Sequence, residues 1–77
     1  DLWILGSDPD RYDRYVHRVR AEYAHVPEVA RRSGRAAVLR SFLERRSIYA
    51  TEPGRAREGD ARANLERELA SLSRPTR

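Results

Sequence analysis

Apolar residues in this chain recur mostly at the spacing of α-helices. The longest series follows Asp8 and Pro9, residue types that favour a helix N-cap and a first helical position. Its apolar members lie three or four positions apart, as on one helical face: Tyr12, Tyr15, Val16, Val19, Tyr23 and Val26. Pro27 should end the series, because the residue before a proline avoids the α region. The pattern predicts a first helix over residues 9–26.

Two further helices are predicted downstream. The second covers about residues 28–45, and its buried face should comprise Val29, Ala30, Val38, Leu39, Phe42 and Leu43. Gly34 either breaks this helix or permits a close helix contact. The third covers about residues 55–72, with Ala61, Leu65, Leu69 and Leu72 on one face.

Shorter segments complete the organisation. Residues 2–5 are apolar and could be a buried strand or a last helical turn, and the following Gly6 favours a helix end. Ile48 and Tyr49 form a short apolar clasp before a turn at residues 51–54. Residues 1–72 should form one helical unit and residues 73–77 a disordered tail. The predicted fold class is all-α, with three main helices and short connections.

Length and composition limit the functions open to this chain. Of its 77 residues 39% are hydrophobic, and ten of those are Ala, so only one small core can form. A deep enzymatic pocket is not expected from a core of this size. The absence of Cys excludes disulfides and thiolate metal sites. No apolar run is long enough to span a membrane, so we expect a cytoplasmic protein without a membrane partner.

The beginning of the chain suggests a missing neighbour. The sequence contains no Met and starts with one acid followed by four large apolar residues. Such a cluster needs cover, which a preceding segment would supply. We therefore expect a piece of a longer protein, with the N-terminal remainder as its main partner. Without it, residues 2–5 and the Tyr12/Val19 face should form an exposed apolar seam that could drive homo-oligomerisation.

Candidate chemistry is concentrated near the end of the first helix. His17 and His25 are eight positions apart, too far along a helix to share a metal ion. Arg20, Tyr23 and His25 lie in a dense polar and aromatic stretch that could bind phosphate or pack against a neighbour. Spacing alone favours the packing interpretation.

The net charge of +4 raises the possibility of a nucleic-acid partner. Six arginines lie in or beside the second helix: Arg31, Arg32, Arg35, Arg40, Arg45 and Arg46. Glu28 and Glu44 interrupt this series, and no aromatic platform accompanies it, so nucleic-acid binding is not favoured. The alternative function is an independent Arg-rich helical module that binds a protein or nucleic acid.

Six segments, in order, carry a family resemblance. They are Asp1-Leu2-x-Ile4-Leu5-Gly6, Tyr12-x-x-Tyr15, Val19-Arg20-x-Glu22-Tyr23-x-His25-Val26, Gly34-Arg35-x-x-x-Leu39-x-x-Phe42-Leu43, Ile48-Tyr49 and Ala61-Arg62-x-Asn64-Leu65-x-x-Glu68-Leu69. Together they resemble the C-terminal part of the predicted metal-dependent phosphohydrolases of the HD superfamily, which are bacterial proteins. The resemblance implies an all-helical hydrolase in which a His, a His-Asp pair and a distant Asp hold divalent metal (Mn, Fe or Mg) that activates water.

The resemblance also implies roles for particular residues. Asp1 matches the second acid of the family's Asp-x-Asp-Leu stretch, so it is a candidate metal ligand or else a helix-end acid. Arg20, Tyr23 and His25 match polar positions that could face the cleft, whereas Asn64 and Glu68, on the terminal helix, should fix packing. Gly59 departs from the helix-favouring residue expected there. The chain alone lacks the other ligands, so we expect it to bind no metal and to be inactive.

Overall fold

The computed structural model describes residues 2–74, which are helical with short connections. A 3₁₀ helix spans Leu2–Gly6 and precedes four α-helices: α1 (Pro9–Glu22), α2 (Glu28–Leu43), α3 (Glu52–Arg55) and α4 (Glu58–Ser73). The all-α prediction with three main helices is confirmed. No helix within this range is both long and apolar enough to cross a membrane.

Helix α1 begins where the sequence predicts and ends earlier. The Asp8 carboxylate accepts a hydrogen bond from the Arg11 backbone N–H at 3.0 Å, and Pro9 is the first helical residue. The helix ends at Glu22, and a turn follows in which the Val26 N–H donates to the Tyr23 carbonyl at 3.0 Å. The predicted continuation to residue 26 is therefore wrong, because local turn hydrogen bonds replace the helical ones.

Helix α2 buries only part of the predicted face. Leu39 lies in the core and Phe42 and Leu43 pack against it, as predicted, but Val29, Ala30 and Val38 are exposed. Leu39 is 1% exposed and Ala36 is buried, whereas Val38 is 45% and Val29 80% exposed. The reason is that α4 packs on the side of α2 that contains Ala36 and Leu39, about 100° away from Val38. Gly34 lies within the unbroken helix, and a Cβ there would meet no atom within 4 Å. It neither breaks α2 nor permits a close contact.

Helix α4 is the centre of the fold, because both the 3₁₀ helix and α2 pack against it. The buried apolar core comprises Leu5, Tyr12, Leu39, Ile48, Tyr49, Ala61 and Leu65. The predicted clasp of Ile48 and Tyr49 is confirmed, with exposures of 1% and 6%. Residues 52–55 form α3 as a separate turn, so α4 begins at Glu58 rather than near residue 55.

Two glycines occupy sites where another side chain would collide. A Cβ on Gly6 would lie 2.7 Å from the Arg57 Cβ, and one on Gly54 would lie 2.5 Å from the Tyr49 Cβ. Neither glycine adopts a positive φ. A glycine is therefore needed at the end of the 3₁₀ helix because the chain there passes close to Arg57. It is not needed for the left-handed backbone conformation that glycine often adopts after a helix.

The ends of the chain differ partly from the sequence expectations. Ser73 is the last residue of α4 rather than part of a tail, and residues 75–77 lie outside the described part. The expected apolar seam is wrong for Leu5 and Tyr12, which are 4% and 1% exposed. Trp3 remains 45% exposed, and its ring stacks on that of Tyr49 at a centroid distance of 5.8 Å.

Candidate functional site

A buried polar network joins the three long helices. The Glu68 side chain of α4 is 5% exposed and accepts a hydrogen bond from the Tyr12 hydroxyl of α1 at 2.5 Å. The Arg35 guanidinium of α2 donates to the same carboxylate from Nε at 2.7 Å and from Nη2 at 3.0 Å. Arg35 Nη2 also lies 3.4 Å from the Tyr15 hydroxyl. Each long helix therefore contributes a polar group to one cluster.

The protonation of this cluster favours a structural role. Burial raises the pKa of Tyr12, and its hydrogen bond to Glu68 and the nearby carboxylate charge raise it further. For Arg35, burial lowers the pKa, but hydrogen bonds to Glu68 and Tyr15 outweigh it and hold the pKa above its ordinary value. Tyr12 thus stays a neutral donor and Arg35 a fixed cation over the physiological range, and neither is suited to acid–base catalysis.

Asn64 fastens the 3₁₀ helix to α4. Its Nδ2 donates to the carbonyls of Leu5 and Ser7, both at 2.8 Å, and the residue is 2% exposed. Together with the contacts of Glu68, this geometry agrees with the packing role expected for both residues. No buried side-chain nitrogen or oxygen within residues 2–74 lacks a hydrogen-bond partner.

A cleft of about 470 Å³ lies beside this network, between α1, the turn after it and α2. We call it the α1–α2 cleft. Its apolar lining comprises Val16, Val19, Tyr23, Val26, Ala30, Val38 and Leu72, with Gly34 on the α2 side. Its charged lining comprises Arg20, Glu28, Arg31, Arg32, Arg35 and Glu68. The volume falls within the range of small-molecule sites, and the lining is mainly apolar with a few charged groups.

The structure brings together some of the sequence-predicted site residues. Arg20 and Tyr23 both line the α1–α2 cleft, and Tyr23 is 52% exposed. His25 does not line it, and its ring lies 6.4 Å from the Tyr23 ring in a stacked arrangement. Arg20 also borders a smaller cleft of about 280 Å³ that His17 lines. Asp1 lies outside the described residues.

The donor groups of the described residues do not form a metal centre. Over residues 2–74, no three His, Cys, Asp or Glu side chains are placed to hold one ion. His17 lies within α1 and His25 in the turn after it, so the helical spacing assumed for the pair does not apply to His25.

Two arginines with structural roles were not distinguished by the sequence. Arg32 Nη2 donates to the carbonyls of Leu72 at 2.6 Å and Arg74 at 3.0 Å, at the end of α4. Arg62 does the same at the end of α2, donating to the Leu43 carbonyl at 3.1 Å. Cationic groups near a helix C-terminus satisfy its free carbonyls and complement the dipole. Their partners are backbone atoms distant in sequence, so no local motif could have indicated them.

The Arg-rich series around α2 is partly engaged inside the molecule. Arg35 is held by Glu68, Arg32 by Glu28 and the end of α4, and Arg31 Nη1 donates to the Val26 carbonyl at 3.1 Å. Three of the six arginines in this series therefore have partners inside the molecule.

Comparisons of the chain with protein-family models, with curated proteins and with solved structures give no match. The functional interpretation therefore rests on the geometry and on the sequence pattern.

Proposed function

We propose that this chain is the C-terminal helical part of a bacterial, cytoplasmic metal-dependent phosphohydrolase of the HD superfamily. In the parent protein it closes the hydrophobic core and forms one wall of the active-site cleft. By itself it is not catalytic. The basis of the proposal is the ordered set of six segments that resemble this family.

The observation that best supports the proposal is the meeting of those segments in the fold. Tyr12, Arg35 and Glu68 come from three different segments. The Tyr12 hydroxyl and the Arg35 guanidinium both donate to the buried Glu68 carboxylate. Asn64 in the last segment binds the Leu5 carbonyl in the first. Buried polar groups must find partners, so polar residues that satisfy one another across distant segments indicate a framework that specifies one fold. Such a framework is what a family pattern would preserve.

The α1–α2 cleft is the part of this chain that would form a wall of the active site. Arg20 has no ion-pair partner among residues 2–74, so its guanidinium can donate to phosphoryl oxygens. Tyr23 offers an exposed ring beside it. A divalent metal would activate water and neutralise charge on the phosphate. The described residues do not form a donor set for such a metal, so its ligands are assigned to the rest of the parent protein, joined by Asp1 of this chain as a candidate.

The decisive experiment begins with the coding DNA upstream of residue 1. A reading frame that continues back through an acidic residue, a His-Asp pair and an earlier His is expected. The full-length protein should then hydrolyse a phosphate ester such as p-nitrophenyl phosphate with Mn²⁺, Fe²⁺ or Mg²⁺, and the 77-residue chain should not. A start codon immediately before residue 1, or a full-length protein without metal-dependent hydrolysis, contradicts the proposal.

A matched pair of variants tests the cleft wall in the full-length protein. Arg20→Ala should raise KM or lower kcat, because it removes a donor to the phosphate. Arg40→Ala removes the same charge from an exposed position of α2 that does not line the cleft and should leave both constants unchanged. Equal kinetics for the two variants would remove Arg20 from the site.

A further inference from the structure

The α1–α2 cleft presents two apolar rows that are partly exposed to solvent. On α1 the row contains Val16 and Val19, and on α2 it contains Ala30 and Val38 with Gly34 between them. Val38 is 45% exposed, and the space where a Gly34 side chain would lie has no atom within 4 Å. On α1, Val16 packs partly against the core and Val19 is partly exposed, whereas Ala30, Gly34 and Val38 on α2 are exposed. Apolar side chains gathered in a concave cleft with a few charged groups are a feature of binding sites.

The shape of the cleft suits a helix. Its walls are two helices, and the apolar positions on each wall recur at helical spacing, so both rows run along the helix axes. An amphipathic helix placed in such a groove is covered on two sides, as in helical bundles. At its base Arg35 and Glu68 already satisfy one another, so no buried charge there needs a partner from the occupant.

The charges of the cleft indicate what kind of helix fits. Arg32 is paired with Glu28, and Arg35 with Glu68. Arg20 and Arg31 also line the cleft, and neither has an acidic partner among the described residues. The cleft is therefore positive at its edge. A second copy of the same cleft would bring arginines against arginines, whereas a helix carrying carboxylates would complement them.

We propose that the α1–α2 cleft is a docking site for one amphipathic α-helix of another polypeptide segment, with acidic residues flanking its apolar stripe. The apolar stripe covers the valines of both rows, and the carboxylates pair with Arg20 and Arg31. This inference needs no phosphohydrolase activity and applies to the chain as it stands. A docked helix would engage the Arg20 guanidinium that the proposed function gives to phosphate, so the two occupants of the cleft exclude one another.

The binding probe is a synthetic helical peptide of about 18 residues, long enough to form a helix on docking. It carries Leu at positions i, i+3, i+4 and i+7 with Glu on both sides of that stripe. The control peptide has Lys in place of each Glu. Binding to the ¹⁵N-labelled 77-residue chain is followed by amide chemical shifts and titrated to obtain Kd. The Glu peptide should shift the amides along both rows, and the Lys peptide should bind at least about tenfold more weakly.

Two glycines provide matched variants. Gly34→Leu fills the cleft, whereas Gly59→Leu adds the same side chain to α4 at a position that also has no atom within 4 Å and lies outside the cleft. Both changes favour a helix, so both variants should fold. Gly34→Leu should weaken peptide binding at least about tenfold, and Gly59→Leu should leave Kd unchanged. Likewise Arg20→Glu should weaken binding, and the exposed Arg40→Glu should not.

Three results would overturn the proposal. One is equal Kd values for the Glu and Lys peptides, or no shift with either. Another is equal binding by the Gly34→Leu and Gly59→Leu variants. The third is a concentration-dependent dimer in sedimentation that disappears in Gly34→Leu, since a second copy would then occupy the cleft in place of an acidic helix.

Discussion

Replacing Glu68 by Gln tests the buried network most directly. The substitution keeps the size of the side chain but removes the charge that faces Arg35 and leaves only one oxygen to accept hydrogen bonds. The amide NH₂ must then point toward a donor, either the Tyr12 hydroxyl or the guanidinium. Three hydrogen bonds to the carboxylate, of 2.5, 2.7 and 3.0 Å, are weakened or lost.

The expected cost follows from the burial of the pair. Removing one partner of a buried ion pair costs about 3–5 kcal/mol, and the Arg35 side chain is still 17% exposed, which favours the lower end. We therefore expect a loss of about 3 kcal/mol in the free energy of unfolding. A domain this small has about 5 kcal/mol in total. With about 4–8 °C per kcal/mol, Tm should fall by about 12–24 °C.

The assay is thermal and urea unfolding followed by circular dichroism at 222 nm. Glu66→Gln is the matched control, because Glu66 is exposed on the same helix and the change removes the same charge. Its Tm should change by no more than about 2 °C. If Glu68→Gln does not fold, Tyr12→Phe provides a milder test, because it removes one hydrogen bond at a cost of about 1–2 kcal/mol.

A triple variant distinguishes two causes of destabilisation, namely a buried polar group left without a partner and the loss of contacts as such. Replacing Glu68 by Leu, Arg35 by Met and Tyr12 by Phe removes every charged or hydroxyl group that Glu68 binds. Such apolar replacements of buried ion pairs are often neutral, so the triple variant should be more stable than Glu68→Gln. Two results would contradict the buried ion pair: a Tm of Glu68→Gln equal to that of Glu66→Gln, or a triple variant that is less stable than Glu68→Gln.

Three further predictions concern the core and its loops. Asn64→Ala should lower the free energy of unfolding by about 1–3 kcal/mol, and the fluorescence of Trp3 should change before global unfolding in urea, because the 3₁₀ helix is released. A single transition at the midpoint of the unsubstituted protein, seen by both fluorescence and circular dichroism, would contradict this. Gly34→Ala should stabilise the chain by about 1 kcal/mol, whereas Gly54→Ala should destabilise it because the added Cβ collides with Tyr49. Changes in Tm of the same sign for both variants would contradict the different surroundings of the two glycines. Backbone N–H groups of the loop before α3 lower the pKa of Glu58. The carboxylate therefore stabilises the fold above the unfolded-state pKa of Glu58, and this stabilisation is lost as the pH falls through the lower folded-state pKa. A pKa of Glu58 at or above its ordinary value in an NMR titration would disprove this.

Local signals explain the features that were predictable from sequence. Asp8 and Pro9 mark the start of α1 because capping depends on neighbouring residues only. The end of α1 was not predictable in this way, since Tyr23 continues the apolar spacing but lies in a turn. Spacing reports which side of a segment is apolar and not whether backbone hydrogen bonds continue along it.

The choice of buried face on α2 shows a second limit. Val38 is larger and more apolar than Ala36, so hydrophobicity alone predicts the wrong residue for the core. The position of α4 decides between them, and that position is fixed by contacts far along the chain. Likewise Arg35 and Glu68 are 33 positions apart, and no local motif joins them. Only the family resemblance indicated that Glu68 fixes packing.

The links between Asn64 and the Leu5 carbonyl and between Tyr12 and Glu68 span 59 and 56 positions. They have a consequence for how the chain acquires its structure during synthesis. The first half leaves the ribosome with polar groups whose partners have not yet been made, and closing so long a loop is entropically costly. Folding should therefore wait for α4 and then occur in one cooperative step, so nascent chains that end before residue 58 should remain sensitive to protease.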